Sequence, residues 1–184
     1  VCMFENAEQA DQFIDGATVQ AYAERAKSLF VTALAVNASR GAWDGREWAV
    51  TPSICLGKYQ HMDTQAMGMV ALTRASIRPA KAMAFWRHAP TAQADLQLAP
   101  GCEIAIGLGE APLVRQCTFS LWEKPSDMVR FAHDGAHRSA IESANRNGFF
   151  NESLFVRMKL LAMNGVWKGR ELQHQPSSLE VALV

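Results

Sequence analysis

The chain has 184 residues, of which 49% are hydrophobic and 20% charged, a balance that lets a globular domain bury a real core and does not suit a disordered one. Eighteen Lys and Arg offset eighteen Asp and Glu. With no net charge and no basic run, small molecules or other proteins are expected as partners, and nucleic acid is not.

In chain order, "VCMF" (1–4) reads as the middle of a buried strand whose preceding residues are missing. "LFVTALAV" (29–36) is a strand-like apolar run, far short of the roughly 20 residues that cross a bilayer. No charged region followed by an apolar segment marks a signal peptide at the start. Residues 48–68 carry no clear period and read as a linker. "MVALTRASI" (69–77) reads as a strand, and Pro79 opens a helical stretch, as a proline at a first helical position does. "CEIAIGLGEAP" and "QCTFSLWE" are strands joined through Pro112. A helix over 126–146 and a strand over 154–163 complete a β-α-β-β-α-β unit.

Much of this order occurs twice. "VCMFENAEQADQF" aligns with "FSLWEKPSDMVRF" (119–131), "DGA" recurs at 15–17 and 134–136, and "SRGAWDGRE" (39–47) matches "MNGVWKGRE" (163–171). The fold expected is α+β: tandem ferredoxin-like repeats of the dimeric α/β-barrel type, the first repeat lacking its N-terminal elements. The expected divisions are 1–47 (second half of a first repeat), 48–68 (linker), 69–171 (complete repeat) and 172–184 (tail). The four cysteines, Cys2, Cys55, Cys102 and Cys117, form no CxxC pair. That argues against structural zinc or a disulfide framework and for a reducing, cytoplasmic compartment.

"FAHDGAHRSAI" (131–141) holds two histidines. His137, Ala140, Ile141 and Ala144 follow helical spacing on one apolar stripe, and the repeat alignment puts Thr18 where His137 stands. His133 falls before the Asp-Gly break and off that stripe. The pattern leaves His137 two readings: a core histidine with backbone partners, or an imidazole ligand to the iron of a planar cofactor held between helix and sheet. His88, His61 and His174 sit at a helix end or in loops. No HxxxH or HExxH spacing supports zinc. Arg74 and Arg115 lie in or beside apolar strands and are the candidates for polarising a ligand on the open side of an iron, against the alternative of edge or surface charges. Phe119, Trp122 and Trp86 read as core or pocket wall. No GxSxG, P-loop or nucleotide-binding GxGxxG occurs.

"ALTRASIRPAKAMAFWRHAP" (71–90), "IAIGLGEAPLVRQCTFSLWE" (104–123) and "GVWKGRE" (165–171) together resemble the spheroidene monooxygenase family, bacterial carotenoid ketolases. The likeness runs from residue 1 to about 171, outside the linker. It implies haem b; the candidates offered by the residues themselves are then His137 on the iron, Ile141, Phe119 and Trp122 around the cofactor, and Arg74 or Arg115 as catalytic. The reaction it implies is an O2-dependent conversion of a carotenoid methylene to a ketone, with electrons from a separate donor such as a ferredoxin. Contact with the inner membrane from the periphery and a homo-oligomer are further expectations. "FAHDGAHRSAI" is also similar to the proximal-histidine helix of aldoxime dehydratases, so a haem lyase is one alternative and a non-enzymatic barrel binding an apolar ligand another.

Overall fold

A computed structural model describes residues 1–61, 68–87, 89–111, 113–133 and 135–174. At a few positions inside helices and strands, Ile141 and His174 among them, it describes the backbone alone. The chain forms two compact units, one of Val1–Ala35, Thr51–Thr64 and Leu160–Val184, the other of Val36–Val50 and Gln65–Lys159. The division expected from the sequence follows chain order, and these units do not. Strands β1 (Phe30–Gly41) and β5 (Phe150–Trp167) each contribute residues to both units.

In the second unit β2 (Met69–Ile77) starts and stops where its apolar run does. Pro79 opens a 3-10 turn leading into α3 (Ala82–Trp86), followed by α4 (Ala89–Gln97). Strands β3 (Cys102–Ala111) and β4 (Arg115–Trp122) precede α5 (Pro125–His133) and α6 (Gly135–Asn147). The strand order is β1-β5-β2-β4-β3, and β2 runs antiparallel to both β4 and β5. This antiparallel sheet with helices is the α+β, ferredoxin-like arrangement the element order predicts. The helix expected over 126–146 is two helices, α5 ending at His133 and α6 starting at Gly135.

Period-two alternation gives the sheet two faces. On one, Met69, Ala71 and Trp122 form a core with Leu96 of α4 and Met128 of α5, so this is the helix-bearing face. Trp122 donates its indole N–H to Ser120 Oγ at 2.9 Å, which satisfies the one polar atom that its burial would otherwise strand. The opposite face carries Val70, Leu72, Leu121, Leu154 and Val156, all almost wholly buried, and the single charge among them is Arg74.

In the first unit residues 1–4 form no strand and are exposed, correcting the reading of "VCMF". Apolar composition suggested a strand, but no described strand pairs with this segment, and Phe4 instead packs on Phe13, ring centroids 5.3 Å apart. Phe13 lies in α1 (Ala7–Ile14), whose N-cap Asn6 accepts from the Gln9 N–H; α2 (Ala17–Arg25) follows. Thus both "DGA" segments lie where one helix gives way to another. The linker is not featureless, since Ser53–Tyr59 is a 3-10 segment. Its Tyr59 hydroxyl donates to Asp11 of α1, and its Lys58 pairs with the same carboxylate at 2.8 Å. The tail expected over 172–184 begins inside β6 (Arg170–His174), which pairs with the end of β5; residues 175–184 lie outside the described residues.

The two Trp-x-Gly-Arg-Glu segments make the same turn. Asp44 and Gly45 have φ of 51° and 73°, and Lys168 and Gly169 have 48° and 80°, the paired positive values a type I′ turn needs. Two residues before each tryptophan stands a glycine with positive φ, Gly41 and Gly165. A Cβ on Gly41 would collide with the Ser153 carbonyl oxygen, and one on Gly165 with that of Leu29. The next N–H then donates to that same carbonyl, Ala42 to Ser153 at 3.1 Å and Val166 to Leu29 at 2.8 Å.

Candidate cofactor site

His137 lies in the first turns of α6, which packs on α4 and α5. Its imidazole stands on the Phe131 ring, centroids 4.5 Å apart and planes 30° from parallel, and Phe131 in turn packs on Trp122. His137 is half-buried, and its Nδ1 is buried with no hydrogen-bond partner among the described residues. Burial holds its pKa below the usual histidine value, with the Asp95 charge opposing, so the ring is neutral at pH 7 and keeps a lone pair free. A satisfied core histidine would have spent both nitrogens on partners. His133, exposed at the end of α5, contributes nothing to this arrangement. His61 is exposed too, while His88 and the side chain of Ile141 lie outside the described residues.

On the helix-bearing face, the row adjacent to the α4–α5 core is open. Thr73 belongs to β2, with β4 and β5 on either side, yet it is exposed, while Ala71 and Ala75 two residues away are 5% exposed. Its register partners are Thr118 and Phe155, and Gly107 follows across Thr118. Phe155 is 37% exposed, and a Cβ added at Gly107 or Gly109 would meet nothing within 4 Å. Neither glycine has the positive φ that would require glycine. Neutral imidazole, a bare floor and flanking aromatic rings fit a flat macrocycle carrying one protein ligand. Among the described residues no three His, Cys, Asp or Glu side chains converge as a metal site of their own would require.

The other expected residues lie elsewhere. Trp122 shares the helix-bearing face but is sealed in the core beneath Phe131, at 1% exposure. Phe119, Arg74 and Arg115 are on the opposite side of the sheet, by the register that sets Leu72 against Phe119 and Ser76 against Arg115. Arg74 is fully buried and gives one nitrogen to Glu152 at 2.6 Å and another to Asp44 at 3.2 Å, while its guanidinium lies 4.7 Å from the Trp43 ring. Glu152 also accepts the N–H groups of Asp44 and Gly45; these two bonds, Gly45 first, hold its carboxyl below the usual range, with Arg74 adding to them. Arg115 pairs with Asp44 from the partly exposed end of β4. An arginine so committed, across the sheet from His137, is not placed to polarise a ligand on an iron bound by that histidine. The signals for the open row were Thr73 interrupting an apolar strand and the "GLG" of β3, neither of which periodicity flags.

The architecture defines the class: an α+β protein of the ferredoxin-like, dimeric α/β-barrel type. A solved protein from Fusobacterium nucleatum, proposed to be a monooxygenase, superimposes with a TM-score of 0.50 over 60% of this chain and 49% of that one, at 10% identity, and supports the fold alone. No family model matches. The particular relationship is one of sequence: the chain is a relative of the spheroidene monooxygenases, as its motifs implied. It is 42% identical to that of Rubrivivax gelatinosus over 91% of this chain and 62% of the relative, and 30% identical to that of Cereibacter sphaeroides over 83% and 45%. The chain therefore spans between about half and three-fifths of these relatives' length.

Proposed function

We propose that the chain acts as an oxygenase of the spheroidene monooxygenase type, placing a keto group on an acyclic carotenoid or a similarly apolar molecule, with haem b held through His137. The observation that carries the reaction class is its identity with proteins bearing that name. The haem is supported by the buried Nδ1 of His137, without a hydrogen-bond partner among the described residues, on the side of the sheet whose central row is bare. Bound haem would supply the activation of O2 that an unreactive methylene requires. The chain's own part is to keep the imidazole neutral by burial and to fix the ring plane by packing it on Phe131, itself seated on Trp122. With no flavin or nicotinamide motif in the sequence, electrons come from a separate donor such as a ferredoxin. No described helix is long and apolar enough to cross a membrane.

An absorption spectrum tests the reading. The purified protein, or the protein given haem, should show a Soret band that shifts or vanishes in His137→Ala, and oxidation of an acyclic carotenoid should need both O2 and a reductant. Protein that stays colourless after haem addition would overturn the haem assignment. An unchanged band in His137→Ala would remove the histidine from the iron, and turnover of an aldoxime without O2 would favour the lyase.

A further inference from the structure

We infer that the open row on the helix-bearing face of the sheet, Phe155, Thr73, Thr118 and Gly107, is the sheet-side wall of this site, and that Thr73 and Thr118 supply its polar contact. The inference rests on the haem reading above and replaces Arg74 and Arg115 in the role expected of them.

Four observations converge. A threonine in a strand paired on both edges is normally covered by the layer above, and Thr73 is exposed where its neighbours Ala71 and Ala75 are not. Thr118 stands directly opposite it in the register, so two hydroxyls lie side by side in a row otherwise made of glycine and phenylalanine, with the half-buried Gln116 and Arg157 in the rows on either side. Gly107 has no conformational need to be glycine, because a valine or leucine would suit an extended strand better. Its lack of a side chain leaves the floor bare. On β2 the covered Ala71 and Ala75 stand about 13 Å apart along the strand, and the row itself runs about 14 Å across four strands, from the spacings of a pleated sheet, an extent that suits a flat ring system. Finally, α6, whose His137 Nδ1 has no partner among the described residues, packs on α4 and α5, the helices that cover this same face.

A hydroxyl can donate to a small ligand of either charge state without bringing a charge into the pocket. The pair therefore offers a polar diatomic a neutral hydroxyl contact on the sheet side.

The experiment separates wall from contact. Gly107→Leu should melt no lower than the parent, since its Cβ meets open space, yet take up haem at least tenfold more weakly by Soret titration, roughly one side chain's worth of lost room. Thr73→Val and Thr118→Val should take up haem as the parent does, but bind cyanide to the ferric protein roughly tenfold more weakly, the loss of one hydrogen bond to a charged ligand. The C–O stretch of the ferrous carbonyl should shift in the same variants. Normal haem uptake by Gly107→Leu would show that the row is not the wall. Unchanged cyanide binding and C–O stretch in both threonine variants would remove the hydroxyls from the site. Parent protein that takes up no haem would overturn the functional reading and this inference together, and that outcome is visible before any variant is made.

Discussion

Arg74 and His137 are both polar residues on apolar faces, and the structure gives them opposite fates. Arg74 is satisfied by two carboxylates and a tryptophan ring, and a buried arginine so bound contributes through what its loss would leave behind. Arg74→Ala leaves a cavity where a fully buried side chain stood and removes the cation between Glu152, Asp44 and the Trp43 ring, and should cost about 3 kcal/mol in urea unfolding; Arg74→Lys keeps the charge but not the fork and should recover only part of it. His137 has an Nδ1 with no partner among the described residues, and burial lowers its folded pKa. The unfolded chain then binds the proton more readily, so the stabilisation is full above the unfolded histidine pKa, near 6.5, and is lost as pH falls through the lower folded value. Denaturant titrations of haem-free protein from pH 8 to 5 should show this loss, and His137→Phe should flatten it. Cys102 behaves as an apolar residue, because burial pushes its thiol up to about 11 and keeps it unreactive at neutral pH.

At the scale of elements, the two type I′ turns show how a short motif fixes long strands. Gly41 and Gly165 let one strand end ride against the carbonyl of another, and Glu152 ties the first turn down through two backbone N–H groups. Gly41→Ala combines positive φ with a backbone collision and should destabilise by about 3 kcal/mol in thermal or chemical melts. Gly45→Ala, strained but uncrowded, should cost about 1 kcal/mol. Glu152 titrates below its unfolded value, so its contribution is present above pH 4.5 and lost below it. Glu152→Gln should remove that acid limb while leaving the melt near pH 7 lower than the parent's.

For the whole molecule, the consequence of long strands shared between units is that a fragment cut along the sequence repeat is incomplete. Residues 69–171 contain the full β-α-β-β-α-β order, but the second unit also contains Val36–Val50. Without that segment Arg74 loses Asp44 and Trp43, and the β5 edge loses β1. The isolated fragment 69–171 should show weak, non-cooperative unfolding by circular dichroism, and a peptide covering 30–50 should restore cooperativity. A cooperative transition in the fragment alone would contradict the division into these units.

The sequence by itself determined the elements that local chemistry controls. The Pro79 helix start, the strand at 69–77, the paired Trp-x-Gly-Arg-Glu turns and the alternation that makes an antiparallel α+β sheet all follow from backbone preference and periodicity, which act over a few residues. It also singled out His137, because an imidazole on an apolar stripe is anomalous without any knowledge of its neighbours. Only the tertiary structure decided which side of the sheet each residue faces. Register carries Arg74, Arg115 and Phe119 away from His137 and leaves Thr73, Thr118 and Gly107 uncovered on its side. Around β2, facing is set by pairing partners some 40 to 90 residues distant, and a one-residue change in that pairing would have exchanged the two faces.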